Sequence, residues 1–179
     1  MKRLISAVLC ILIMSACEDE ILYDFDEQFQ VDLAIIDNYL SQNNIDHVKD
    51  DSGIRYLALH LANGEALERS RQAAYFFVTI WRLDGTFLGS NNVETDIANG
   101  GTGSFWTPNR YDYGGASNYG SLKYFDFIAP KLTVGDRYRV YVPSGLGYGF
   151  EPWRTSRDIA PNTNLIVEIE MIEIVDYGG

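Results

Sequence analysis

LTVGDRYRVYVPSGLGYGFEPWRTSRDIAPNTNLIVEIEMIEIV, residues Leu132 to Val175, is the stretch from which the fold is read. Between Asp136 and Pro143 the side chains alternate, with Tyr138, Val140 and Val142 on one face and Arg137, Arg139 and Tyr141 on the other. A period of two predicts a half-buried strand. Pro143 has no N–H to give a ladder, so the strand ends there. Gly145, Gly147 and Gly149 then allow a tight loop around one aromatic, Tyr148. Leu165 to Val175 alternates again and is rich in β-branched residues, which predicts a long final strand. A Gly/aromatic loop and an Ile159-Ala160-Pro161-Asn162 turn connect the two.

VGDRYRVYVPSGLGYG followed by IAPNTNLIVEIEMIEI resembles the C-terminal signature of FKBP-type peptidyl-prolyl isomerases. That family shows a Val-Gly-x-basic turn, a strand ending in Pro, a Tyr-Gly loop, an Ile-Pro-Pro-Asn-like turn and a last strand. The resemblance covers about forty residues, and its weight lies in several spaced features agreeing, since single motifs have a high false-positive rate. It implies an α+β fold: a bent antiparallel β-sheet wrapped around a short helix, here with an extra N-terminal helix.

At the other end, Met1-Lys2-Arg3 is a basic start and Leu4 to Met14 an apolar run of signal-peptide length, too short to span a bilayer. Ser15-Ala16-Cys17 resembles a bacterial lipobox, which makes residues 1–16 a lipoprotein signal peptide and Cys17 the lipidated residue; a plain signal peptide with an incidental Cys is the alternative. The other cysteine, Cys10, leaves with the leader, so no disulfide or Cys-metal chemistry is expected. Glu18-Asp19-Glu20 opens an acidic tether, 17–27. It resembles the surface-export signal of some Bacteroidota lipoproteins and reads equally as a solvated linker. Loss of Lys2 and Arg3 deepens the formal net charge of −11 to about −13, which argues against nucleic acid and against docking on anionic lipid by charge. The expected location is the cell envelope, as a monomeric outer-membrane lipoprotein held by its N-terminal lipid, facing the periplasm or the surface.

An N-terminal helical segment, 28–50, carries a helix over 28–47 in which Phe29, Leu33, Ile36 and Leu40 form an apolar stripe that Asn43-Asn44 ends. Tyr39-Leu40-Ser41-Gln42-Asn43-Asn44-Ile45 resembles the helix found before the first strand in secreted lipoproteins of the family. Its expected job is to pack on the sheet or to space the domain from the membrane. The FKBP-like domain, 51–179, starts with a turn at Asp51-Ser52-Gly53 and a strand over 54–61. After an Asn63-Gly64 turn comes an apolar strand over 75–83, an Asp84-Gly85 turn and a partner strand from Thr86. Residues 89–121 hold seven glycines and the aromatics Phe105, Trp106, Tyr111, Tyr113 and Tyr119, with no helical or strand period, and read as an insertion. Phe105-Trp106-Thr107 is a candidate short strand. Leu122 to Ile128 is read as the short central helix, stopped by Pro130.

The resemblance also implies a site. Rotation about X-Pro meets a barrier of about 20 kcal/mol from amide resonance. An apolar pocket that strips water and grips the ring favours the twisted amide, so no nucleophile, metal, cofactor or acid/base dyad is needed. The family's loop tyrosine falls on Tyr148. The residue whose backbone N–H holds substrate falls on Leu122, and the pocket-floor aromatic on Phe125. The walls fall on Leu88, Val78, Ile159 and Val167. The sequence departs from the family where Leu88-Gly89 replaces a Phe-Asp pair, where Val78 and Val167 stand for aromatics, and where Ala160 stands for Pro. Trp106, Phe105 and Trp153 are the aromatics available to refill the wall. The implied partners are proline-containing polypeptides.

Blander roles fit several of these residues. Leu122 and Phe125 suit ordinary helix packing, Phe105 and Trp106 suit a core, and Glu168, Glu170 and Glu173 read as a solvated strand face. His47 and His60 have no ligand-spaced partners, so no metal is expected. Two other functions stay open: an FKBP-like domain that binds peptide or protein without useful catalysis, and a glycan-binding surface lipoprotein using the aromatics of 89–121 as its platform.

Overall fold

The structure is a computed structural model that describes residues 24–68, 72–103, 108–112, 116–117, 122–150 and 159–177. The expected signal peptide with Cys17, the candidate strand over Phe105-Trp106-Thr107, Tyr113, Tyr119 and Trp153 all lie outside the described residues.

Among the described residues eight strands form one antiparallel sheet: β1 (Val48–Lys49), β2 (Arg55–His60), β3 (Gln72–Arg82), β4 (Phe87–Ser90), β5 (Asn109–Asp112), β6 (Ala116–Ser117), β7 (Arg137–Val142) and β8 (Leu165–Asp176). Their order is β1-β2-β7-β8-β3-β5-β6, with β4 also paired to β3. The strands predicted at each end of the Tyr148 loop are neighbours, Arg137 facing Glu170 and Val142 facing Leu165. β8 pairs along the whole of β3, so the two longest apolar strands form the sheet's centre.

β4 and β5 share one edge of β3. Ser90 faces Thr79, and the chain returns with Asn109 facing Phe76. Between them Asn91 supplies the missing partners. Its Oδ1 accepts from the Val78 N–H at 2.6 Å, its backbone N–H donates to the Val78 carbonyl at 3.1 Å, and its Nδ2 donates to the Phe76 carbonyl at 3.0 Å. Buried backbone groups must be paired, and Asn91 satisfies them where no strand runs. The reading of 89–121 as aperiodic needs correction. It contains β5, β6 and a helix, α2 (Val93–Ala98), whose Asn92 cap accepts from the Thr95 N–H. A six-residue helix is too short to show a period in sequence.

The N-terminal helix, α1, spans Phe25–Gln42, earlier at both ends than the predicted 28–47. Asp24 begins it, accepting from the Asp26 and Glu27 N–H groups, and Asn44 (φ 51°) ends it. The helix packs on the outer face of the sheet. Ile36 and Leu40 are fully buried with Tyr141 and Ile166, and Trp81, Leu57 and Leu83 complete the layer. β7 is therefore buried on both faces near its end: Tyr141, on the face with Arg137 and Arg139, is 1% exposed. The helix's inward stripe also differs from expectation, because Asp32 is buried where Leu33 was placed.

Polar anchors fix α1 at its middle. Arg55 donates to Asp37 at 2.8 Å through Nε, and Lys49 reaches the same carboxylate at 2.8 Å. The Arg55 hydrogen bond comes first among the causes that hold the Asp37 carboxyl at about 2. Gly53 (φ 99°) lies so close to Phe29 that a Cβ there would sit 2.3 Å from Cζ. Only glycine suits both that conformation and that approach.

The main core fills the other face of the sheet. α3 (Tyr124–Ile128) and the turn Ala129–Lys131 lie across it, burying Tyr124, Phe125, Ile128, Ala129 and Leu132 against Phe76, Val140, Val167, Ile169 and Met171.

Candidate functional site

The 144–149 loop leaves β7 at Pro143 as a single 3-10 turn, Ser144–Leu146. The Gly147 and Gly149 N–H groups both donate to the Ser144 carbonyl, at 3.0 and 2.8 Å, and Gly149 takes φ 69°. Tyr148 is thereby held between two anchored glycines. Its side chain is half-buried and packs on the main core. Burial pushes its hydroxyl above the ordinary tyrosine range, so it stays protonated and able to donate at neutral pH.

Six predicted site residues meet in that same cluster. Phe125, Val78 and Val167 are buried members; Leu88, Leu122 and Tyr148 are half-buried against them. Ile159 is 6% exposed but belongs to neither core cluster. Trp106 lies outside the described residues.

Phe125 sits in an aromatic box that the sequence did not reveal. Phe76 meets it edge-on at 5.0 Å, Tyr111 is tilted at 5.9 Å, and Tyr124 lies at 6.0 Å. Tyr111 comes from the segment expected to carry a ligand platform, yet it is 4% exposed and part of the core. β5 offers no sequence signal for this: its four residues, Asn109-Arg110-Tyr111-Asp112, bury a single side chain, too few to show a period.

The floor and the rim differ. Phe125, Val78 and Val167 are 2%, 4% and 0% exposed, so the floor is closed by its own neighbours, while Leu88, Leu122 and Tyr148 keep exposed surface. A Cβ at Gly89, where the family carboxylate would stand, meets nothing within 4 Å. Two shallow clefts lie elsewhere. One, of about 270 Å³, runs between the start of α1 and Ser144–Leu146, and the other, of about 390 Å³, lies at the end of α1 beside His47. Neither is lined by Tyr148 or Phe125.

Two buried polar atoms border the box without a hydrogen-bond partner among the described residues: the Tyr124 hydroxyl and Asp126 Oδ1. Burial raises the pKa of both groups, and Tyr148 adds to the rise at Tyr124. Tyr124 and Tyr148 belong to the same core cluster, and both are neutral phenols at physiological pH.

No family model matches the sequence, and no curated protein matches it significantly. Among solved structures the chain is similar to a peptidyl-prolyl cis-trans isomerase from Pseudomonas syringae pv. tomato. That match has a TM-score of 0.56 and 16% identity, covering 81% of this chain and 94% of that one. The chain is also similar to FkpA from Escherichia coli, with a TM-score of 0.58 and 14% identity, covering 84% of this chain and 62% of FkpA. At these identities the likeness concerns architecture: the chain has the α+β fold of FKBP-type peptidyl-prolyl isomerases, with an N-terminal helix added.

Proposed function

We propose that this protein is a peptidyl-prolyl cis-trans isomerase of the cell envelope, anchored by lipid at Cys17 and acting on proline-containing polypeptides. The observation that carries this reading is the meeting of Tyr148, Leu122, Leu88, Phe125, Val78 and Val167 in one cluster of an FKBP-like fold. The prolyl ring seats on the exposed apolar rim of Leu88 and Leu122 above Phe125. The Tyr148 hydroxyl donates to one flanking carbonyl and the Leu122 backbone N–H to another. Apolar contact removes water from the amide oxygen, which weakens the resonance that resists rotation. The chain acts as a monomer without a cofactor.

A second reading rests on the closed floor. With Phe125, Val78 and Val167 almost fully covered, the site offers a shallow rim in place of a deep pocket. A rim of this kind holds a proline-containing segment without turning it over.

Proline-limited refolding of a model substrate separates the two readings. The isomerase accelerates it catalytically, and Tyr148→Ala abolishes the acceleration. Binding of a proline peptide by the wild type with no acceleration at micromolar protein would replace the first reading with the second. Anchoring is tested by incorporation of labelled fatty acid, which Cys17→Ala should abolish; an unlabelled wild type refutes it.

A further inference from the structure

The N-terminal helix reaches the candidate site through one buried carboxylate. Asp32 is 1% exposed, yet it sits on a helix face otherwise lined by Ile36 and Leu40. Its Oδ2 accepts from the Ser144 N–H at 2.9 Å and from Ser144 Oγ–H at 2.5 Å. Its Oδ1 accepts from Gln28 Nε2 at 2.8 Å. Gln28 Oε1 in turn accepts from Asn162 Nδ2 at 3.1 Å, and the Asn162 N–H donates to the Gly149 carbonyl at 3.1 Å. Asn164 Oδ1 is a second acceptor for the Ser144 N–H, at 2.9 Å.

Ser144 is the hub of this network. Its N–H and hydroxyl are both spent on α1 and Asn164, while its carbonyl receives the two glycine N–H groups that bracket Tyr148. A buried carboxylate is costly unless its hydrogen bonds are made, so such a group is a poor choice for mere packing. Two residues from one helix, Gln28 and Asp32, thus grip both ends of the Ser144–Gly149 loop.

We propose that Asp32 is a positioning residue: through Ser144 it sets the place of Tyr148, which makes α1 part of the site's machinery. Its effect on turnover rests on the isomerase reading above; its effect on loop geometry does not. Removing the carboxylate leaves the Ser144 N–H on Asn164 Oδ1 alone and takes the acceptor from its Oγ–H, which loosens the glycine anchors downstream. Small displacements of a substrate-holding group lower turnover steeply.

The test places 3-fluorotyrosine at position 148 of the full chain and reads both its fluorine resonance and the refolding assay. Asp32→Ala should move the resonance towards that of free fluorotyrosine and lower kcat/KM about tenfold, with far-UV dichroism unchanged. Asp32→Asn, which can still accept both Ser144 donors, should stay within about threefold of wild type. Ile36→Val, a small packing loss on the same helix, should leave the resonance where it is. Ser144→Ala, which removes only the hydroxyl donor, should give a smaller displacement and keeps the test standing if Asp32→Ala does not fold. A wild-type resonance in Asp32→Ala or, should that variant not fold, in Ser144→Ala overturns the proposal. So does a displacement in Ile36→Val as large as that in Asp32→Ala or, failing that variant, in Ser144→Ala. If the wild type shows no isomerase activity, the functional reading fails and the resonances alone decide the role of Asp32.

Discussion

Replacing Asp136 by alanine should unfold the turn that launches β7. Asp136 is 3% exposed, and its carboxylate closes two loops at once. Oδ1 accepts from the Ala62 N–H at 2.7 Å, while Oδ2 accepts from the Thr133 N–H at 2.8 Å and from the Thr133 hydroxyl at 2.9 Å. Burial pushes this carboxyl's pKa up, but those donors outweigh it and the net shift is downward. Each lost hydrogen bond costs about 1 kcal/mol. Water can partly replace the carboxylate at Ala62, which lies at the surface, so the expected loss for Asp136→Ala is about 2 kcal/mol out of a typical 5–15. In Asp136→Asn one amide face opposes one backbone N–H while the Thr133 hydroxyl can turn over, so the loss is about half as large. Urea denaturation at neutral pH, followed by tryptophan fluorescence and dichroism, reads both values at constant m. On the proposed isomerase reading, acceleration of refolding per folded molecule should not change, because Asp136 is not among the residues gathered around Tyr148. An Asp136→Ala midpoint corresponding to less than about 0.5 kcal/mol, the range of ordinary surface changes, would refute the reasoning. Equal damage from Asn and Ala would refute it too.

Acid should loosen the helix and the first hairpin. Asp37 and Asp50 both have carboxyl pKa values lowered to about 2. For Asp37 the Arg55 hydrogen bond leads the causes; for Asp50 burial is the largest single influence and pushes upward, but the Lys131 and Ser52 hydrogen bonds together outweigh it. A depressed carboxyl stabilises the fold above its unfolded value near 4, and that contribution fades as pH falls from about 4 to about 2. Asp37 is about one-third exposed, so solvent screening reduces its share to about 1 kcal/mol. Asp37→Asn should flatten stability across that window, and an unchanged acid slope would contradict the ion pair. Tyr124→Phe should be neutral or stabilising by about 1 kcal/mol, because it removes a buried hydroxyl that has no partner among the described residues. A clear loss of thermal stability would show that the hydroxyl is bonded.

The residues deciding the sheet spoke for themselves in sequence. Alternation marked β7 and β8, Pro143 and the glycines marked the loop, and Asn43-Asn44 marked the end of α1. These signals are local: backbone geometry fixes a period of two or 3.6 wherever the segment ends up. The gathering of Tyr148, Leu122, Phe125, Leu88, Val78 and Val167 was legible only by likeness to a known pattern, because residues on β3, β4, α3, β8 and two separate loops leave no common period. Tertiary structure alone decided the rest. The alternation of β7 groups Tyr141 with Arg137 and Arg139 but does not show what covers that face, and α1 covers it at Tyr141. Nothing local singles out Asp32, because its partner Ser144 lies 112 residues away. Asn91 gained meaning only once β4 and β5 left a gap along β3. A buried polar group is specified by its partners, and no reading of a single segment contains them.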